Sequence, residues 1–366
     1  MKLSFTQENL NRGLEITSHI ASRNQTLPIL NNVLITAENG VIKLTTTNLE
    51  IGINCQIRGK VEEEGKITVQ AKLLADYINS LSHDRVDFLK EKESLKITGG
   101  KAQTVIKGSS SEEFPLIPKV EKKRSYQVNV RAFKNAVMQV IFAAAADESR
   151  PEISGIFLKP ESNSLTLAAT DSYRLAERKI KLEKASKEGE GVIVPTRTLQ
   201  ELIRILNEEV EVLNFYLNEN QILFEFEGIE MVSRLIEGQY PDYQQIIPKE
   251  HRTHVVLNTR EFIKIIKTTS LFCKPGINDI NLEFLPEGKA VVSASNTQVG
   301  ENISEVEAKV EGEKNTIVFN YRYLLDGLSS LNTEEFILEL TDEANPGLIT
   351  PAGQADHLYI IMPIRQ

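Results

Sequence analysis

At 366 residues, 41% hydrophobic and 25% charged, the chain has the make-up of an ordinary globular protein, and it is too long for one core, so two or three domains are expected. The opening MKLSFTQENL shows no apolar leader and no later stretch reaches 18 uninterrupted apolar residues, which excludes a helical membrane span and leads to the expectation of a cytoplasmic protein. A net charge of −9 excludes a nucleic-acid binder that relies on overall basicity, and Cys55 and Cys273, far apart and outside any CxxC pair, suggest neither a zinc ribbon nor a disulfide framework.

Read in chain order, the same elements recur three times. The first third opens with an amphipathic helix candidate, ENLNRGLEITSHIA (8–21), followed by an alternating hairpin region, NNVLITAENGVIKLTTTNLEIGINCQI (31–57). A short strand then runs into a second helix, KITVQAKLLADYINSL (66–81), and a final strand pair, FLKEKESLKITGGKAQTVIKG (88–108), closes the unit. The middle third repeats the order as 133–145, 154–180, 191–206 and 215–238, and the last third as 262–272, 278–304, 315–331 and 336–364. The polar, proline-bearing joins EEFPLIPKVEKKRS (112–125) and EGQYPDYQQIIPKEH (237–251) read as linkers, which places three like domains at 1–122, 123–250 and 251–366. The fold class expected is α+β, each domain holding two helices and a set of antiparallel strands.

Catalytic signatures are missing. No GxGxxG opens a helix after a strand, and no GxxxxGK[ST] or GxSxG occurs, so no cofactor is expected. His251 and His254 stand three apart but in a linker entering a strand, and they read as solvated imidazoles with no metal. The segment TDSYRLA (170–176) sets a carboxylate, a hydroxyl, a phenol and a guanidinium side by side. An enzyme could use Asp171 as a base near Tyr173 and Arg174 at a domain junction; the plainer role for Asp171 is to cap a turn.

Charge is distributed by element. The helix segments 7–20, 71–81, 131–143, 197–206, 260–274 and 321–331 together carry +5, which leaves −14 elsewhere in a chain of net −9. A basic helical layer under an acidic remainder suits a protein that surrounds a polyanion without adhering to it sideways. With no tryptophan and no aromatic interleaving, contact would run through phosphates rather than bases.

TLPIL (26–30), TNLE (47–50), TDSYRLA (170–176), VIVP (192–195), EGQYPDY (237–243) and YIIMPIRQ (359–366), in this order on a threefold repeat, resemble the bacterial sliding clamp family, the β subunits of DNA polymerase III. The resemblance runs over essentially the whole chain. It implies a non-enzymatic processivity factor, a head-to-tail dimer whose six domains close a ring around duplex DNA, helices inside and sheets outside. Twelve helices about 10 Å apart give a circumference of about 120 Å and a diameter near 38 Å, wide enough for a duplex roughly 20 Å across. TDSYRLA fills the slot of TNLEIG in the first repeat and SNTQVG in the third, and only the middle copy carries Tyr-Arg-Leu, so function is expected there.

In that family the segment lines a pocket for short hydrophobic peptides of polymerases, the clamp loader and repair proteins. Carried over, the resemblance implies Thr170, Ser172, Tyr173, Arg174 and Leu175, preceded by Ile153 and joined by Pro241, Gln245 and Ile246 of the linker. The C-terminal segment adds Ile360, Met362, Pro363, Ile364 and Arg365, with Ala344 and Pro346 nearby; YIIMPI (359–364) also reads as a last core strand, half of whose side chains are expected to face the core. Gln245 and the Ser172-Tyr173 pair depart from the basic residue and the Gly-His pair of some clamps. Ring closure implicates Thr104 and Ile106 on an edge strand against Leu271 and Phe272 at a helix end, with Lys72 facing Glu301 and Glu305. DNA-facing candidates are Arg23, Lys134, Arg150, Arg197, Arg204, Lys264 and Lys267.

Overall fold

The structure, a computed structural model, describes residues 1–21, 26–147, 149–185, 187–207 and 209–365. Its α-helices are α1 Gln7–Ser18, α2 Ala71–Ser80, α3 Val130–Val140, α4 Thr196–Ile205, α5 Thr259–Thr269 and α6 Tyr321–Ser330. Every one of them directly follows a strand and is followed by at least three more, so each third is a strand, helix and three-strand unit written twice, with one extra short strand in the first and last thirds, Lys60–Glu63 and Lys309–Gly312. This corrects two expectations. Strands Lys2–Thr6, Ser125–Asn129 and Thr253–Asn258 precede the first helix of each third, and the closing set is three strands, as in Arg85–Glu91, Ser94–Gly99 and Ala102–Ser109, rather than a pair.

Side chains at the strand ends start the helices. Thr6 accepts from the Asn9 N–H at 3.3 Å, Asn258 from Glu261 at 3.1 Å and Asn320 from Arg322 at 3.0 Å, each satisfying a donor that the first turn leaves open. The helix expected over 133–145 ends at Val140 and tightens into the 3-10 turn Ile141–Ala143; α5 likewise passes into Ser270–Phe272.

The chain gathers into two compact units, Met1–Val130 with Arg197–Leu235, and Arg131–Thr196 with the residues from Ile236 onward. In the first, a single antiparallel sheet carries the strands of the first third and continues into the middle third, because Ile51–Ile57 pairs with Ile229–Arg234. Leu10 and Leu14 of α1 and Leu74 and Ile78 of α2 are fully buried there, each contributing roughly 1.5–3 kcal/mol. In the second unit the same thing happens at a different joint. Arg174–Lys181 of the middle third pairs with His357–Ile361 of the last third, register Leu175↔Ile360, within one nine-stranded sheet.

A helix glycine sets the position of the C-terminal strand. A Cβ on Gly327 of α6 would stand 2.2 Å from the Tyr359 ring, so the bare backbone lets that ring lie flush against the helix. The Tyr359 hydroxyl then donates to the Tyr323 carbonyl at 2.8 Å.

Candidate functional site

TDSYRLA forms the turn between strands Ser164–Thr170 and Arg174–Lys181. Oδ1 of Asp171 accepts from the backbone N–H groups of Tyr173 at 2.9 Å and Arg174 at 3.0 Å, and Oδ2 accepts from Arg174 Nε at 2.9 Å. Thr170 Oγ1 donates to the Arg174 carbonyl at 2.6 Å and accepts from the Ser172 N–H at 3.2 Å. Ser172 takes φ +79°, a left-handed conformation that this hydrogen-bonded turn holds in place. With both carboxylate oxygens engaged, Asp171 acts as a turn cap.

Arg174 ties the turn to the last third. Nη1 donates to Asp326 Oδ2 at 2.5 Å, Nη2 donates to the Phe142 carbonyl at 2.8 Å, and the guanidinium lies 4.4 Å from the centroid of the Tyr323 ring. Burial works against its charge, but the hydrogen bond to Asp326 and the Asp171 carboxylate hold its pKa above the usual arginine range. Tyr173, 63% exposed, stacks on the same Tyr323 with ring centroids 6.4 Å apart, and its carbonyl accepts from the Met362 N–H at 2.9 Å.

Beneath this rim the linker and two strands share one apolar cluster. Ile153, Ala168, Leu175, Ile193 and Ile360 pack with Tyr240, Tyr243 and Leu348. Tyr240 lies parallel to Phe157, centroids 4.8 Å apart, and Tyr243 donates to Glu177 Oε2 at 2.5 Å. Burial raises the pKa of both phenols, and for Tyr243 the neighbouring Glu177 carboxylate raises it further.

Of the residues proposed for a pocket, Ile153, Leu175 and Ile360 thus meet, but as a fully covered floor; Thr170 is also buried, by its turn hydrogen bonds. Half of the YIIMPI side chains are buried, as expected, but as a block rather than in alternation: Tyr359, Ile360 and Ile361 are all covered, because the strand has partners on both edges and cover on both faces. The accessible apolar rim consists of Tyr173, Pro241 and Ile246, with Met362, Pro363 and Ile364 half-buried and Arg365 exposed. Gln245 donates to Asp242 at 2.7 Å, and Ala344 and Pro346 belong to a turn in which Asp342 accepts from the Ala344 N–H at 2.9 Å. The sequence reading missed Tyr240, Tyr243, Phe142, Tyr323 and Asp326; the paired tyrosines of EGQYPDY were the available signal.

Of the residues suggested for ring closure, Thr104, Ile106, Glu301 and Glu305 fall on two open edges, whereas Leu271 and Phe272 lie in the 3-10 turn after α5 and Lys72 on α2. Ala102–Ser109 is paired on one side over most of its length, and among the described residues Gly300–Glu307 pairs only with Lys289–Asn296. Thr104 is half-buried, but Ile106 is only 6% exposed, facing its own core; Val105, 50% exposed, presents the apolar side chain instead. Leu271 is exposed and Phe272 half-buried, alongside exposed Val299 and Ile303 that sequence reasoning did not find. Lys72, Glu301 and Glu305 are exposed, Glu305 meeting Lys289 at 3.0 Å.

The cations divide as well. Lys264 and Lys267 project from one face of α5 and Arg197 is exposed on α4, while Lys134 is half-buried on α3. Arg204 is committed elsewhere: it meets Glu201 at 3.0 Å and donates to the Glu15 and Ile16 carbonyls at the end of α1 at 3.0 and 3.2 Å. Arg150 meets Glu152 and donates to Ser172 Oγ at 2.8 Å, joining the turn. Arg23 lies outside the described residues.

Three domain models of the DNA polymerase III beta subunit match end to end, the N-terminal domain over 1–118, the central domain over 127–242 and the C-terminal domain over 244–365. The beta sliding clamp of Synechococcus elongatus is 32% identical over 372 residues, covering 100% of this chain and 99% of its own. The crystal structure of the Bacillus subtilis DNA polymerase sliding clamp superposes with a TM-score of 0.96 at 28% identity, covering 100% of this chain and 99% of that one. A Pseudomonas aeruginosa sliding clamp bound to griselimycin gives 0.95 at 27% identity, both chains covered in full. A repeated unit of one strand, one helix and three strands, a C-terminal strand joined to the middle third, and matches along the full length lead to one assignment: the chain belongs to the DNA polymerase III beta subunit family, the beta sliding clamps, and has its three-domain α+β clamp fold.

Proposed function

We propose that this protein is a non-catalytic processivity factor, which closes around duplex DNA as a head-to-tail homodimer and tethers the replicative polymerase, the clamp loader and repair proteins through short hydrophobic peptides. The observation that carries the peptide role is the rim at the strand seam: Tyr173, Ile246 and Met362 offer apolar surface beside a guanidinium fixed at four points. Anchored aromatic and arginine groups around an apolar patch suit the capture of a peptide's large side chains. The domains are taken as 1–122, 123–250 and 251–366, and the compartment as the cytoplasm; among the described residues no helix is long and apolar enough to cross a membrane.

Dimer closure is supported by the two open edges, which differ from each other. Pairing unlike edges gives a heterologous contact that generates a ring when its rotation closes, and it covers backbone groups that would otherwise invite aggregation. Lys72 on one side and Glu301 and Glu305 on the other supply opposite charge. DNA contact is assigned to the exposed cations of α4 and α5, diffuse and salt-sensitive. A non-enzymatic role is supported by Asp171, whose oxygens already hold a turn and an arginine.

Loading the protein with a cognate clamp loader and ATP onto circular DNA, followed by gel filtration in moderate salt, tests this. Retention on the circle that disappears when a restriction enzyme linearises it is expected. Equal retention on both forms means ordinary adhesion and overturns the encircling mechanism.

A further inference from the structure

The linker into the last third ends in two histidines that the fold brings to one carboxylate. His254 lies in strand Thr253–Asn258, which pairs on one side with Glu335–Leu340 and on the other with Lys309–Gly312. The registers place Glu339 opposite His254 across the first ladder and Glu311 opposite it across the second. Residues directly opposite in antiparallel strands share a face, their Cβ atoms about 5 Å apart. His251 precedes the strand, and its neighbour Arg252 is fixed there by a 2.9 Å hydrogen bond from its N–H to the Leu340 carbonyl. Nδ1 of His251 and Nδ1 of His254 consequently stand 3.3 and 3.4 Å from the same Glu339 Oε1, and the three donor atoms all lie within 4.8 Å of one another.

Those separations discriminate between two kinds of contact. A charge-assisted hydrogen bond between imidazolium and carboxylate closes to about 2.7–2.9 Å. Two ligands of a tetrahedral ion, each bonded at about 2.0–2.1 Å, stand about 3.4 Å apart. The two histidine-to-carboxylate distances are close to those of co-ligands, and the remaining pair of donor atoms lies within 4.8 Å. The side chains are 44%, 28% and 24% exposed, so an ion can enter and a further position stays open to solvent. Two imidazoles with one carboxylate favour zinc and its transition-metal neighbours over magnesium or calcium, which take oxygen ligands.

We propose that His251, His254 and Glu339 form a binding site for a divalent transition-metal ion of the zinc class, with Glu311 or water completing the coordination. The sequence alone reads the two histidines as solvated imidazoles; the third ligand comes from 85 residues downstream. The ion fastens the end of the linker to two neighbouring strands. The site lies along the nine-stranded sheet from the Arg174 seam, with strand Gly347–Pro351 between the two, so it stands apart from the residues of peptide capture.

The test uses untagged full-length protein stripped with chelator, titrated with Zn2+ by calorimetry and with Co2+ by visible absorption. One ion per chain is expected, with affinity falling at least about tenfold in each of His251→Ala, His254→Ala and Glu339→Gln and unchanged in His83→Ala. His251→Ala is decisive, since that side chain is exposed and lies outside the strand. No saturable uptake by the native chain, or uptake of equal affinity in the native chain and His251→Ala, overturns the assignment.

Discussion

His357 gives the sharpest stability prediction. It is 1% exposed, and neither ring nitrogen has a hydrogen-bond partner among the described residues. Burial, aided by the Arg178 charge and opposed by Asp356, lowers its pKa to about 4. An unfolded histidine titrates near 6.5, so the group contributes its full stability above that pH and loses it as pH falls toward the folded value. Over the window between about 6.5 and 4 the unfolded chain binds a proton that the folded chain refuses. From those two values the loss at pH 5 is about 2 kcal/mol relative to pH 7. His357→Leu, similar in volume and without the orphaned nitrogens, removes that contribution and relieves an unsatisfied polar group. Urea unfolding of both proteins at pH 7 and pH 5, at equal concentration, cancels the other titrating groups in the difference. The variant should lose about 2 kcal/mol less than the native chain over that step. Equal losses would show that His357 is protonated as readily inside the fold as outside it, and the reasoning fails.

Four other outcomes follow from the packing and the charges. Gly327→Ala forces the Tyr359 ring off α6 and should destabilise by about 1–3 kcal/mol despite a better helix residue, read as a lower urea midpoint; a gain in stability would mean that the ring moves freely. Lys264→Glu with Lys267→Glu should weaken DNA binding evenly across sequences and reduce the salt slope by about 2, and an unaltered slope would remove α5 from the DNA-facing surface. Ile303→Asp, at a site 66% exposed on an open edge, should shift the proposed head-to-tail dimer to monomer in light scattering, and an intact dimer would place closure elsewhere. Burial raises both cysteine thiols to about 11, so a disulfide reagent at pH 8 should leave Cys55 and Cys273 unmodified until denaturant is added; rapid native labelling would contradict their burial.

The parts legible in the sequence were the local ones. The hairpins of 31–57, 154–180 and 278–304 alternate with period two, and the helices carry their apolar stripe at period 3.6, so both can be read within a dozen residues. Leading strands such as KLSFT are five residues long and run straight into a helix cap, which leaves too little pattern to detect. Phase was weaker still: one residue separates the buried Ile106 from the exposed Val105, and a one-residue slip moves every side chain to the other face. The site was half legible. TDSYRLA stood out because it breaks the repeat, whereas the pairing of Leu175 with Ile360 and of Arg174 with Asp326 joins residues far apart in the chain, and no local pattern encodes it. The same holds for Glu339, which no spacing around His251 and His254 could reveal.

The joints between neighbouring thirds are ladders of main-chain hydrogen bonds, Ile51–Ile57 to Ile229–Arg234 in one unit and Arg174–Lys181 to His357–Ile361 in the other. A peptide group makes the same bond whichever side chain it bears. Such a splice is therefore nearly blind to substitution, and a lineage can rewrite most of its letters while the joins hold, as 28% identity beside a TM-score of 0.96 illustrates. The turn at Tyr173 and Arg174 opens one of these splices, so the peptide recognition proposed there can drift in its side chains while the weld beneath it stays the same.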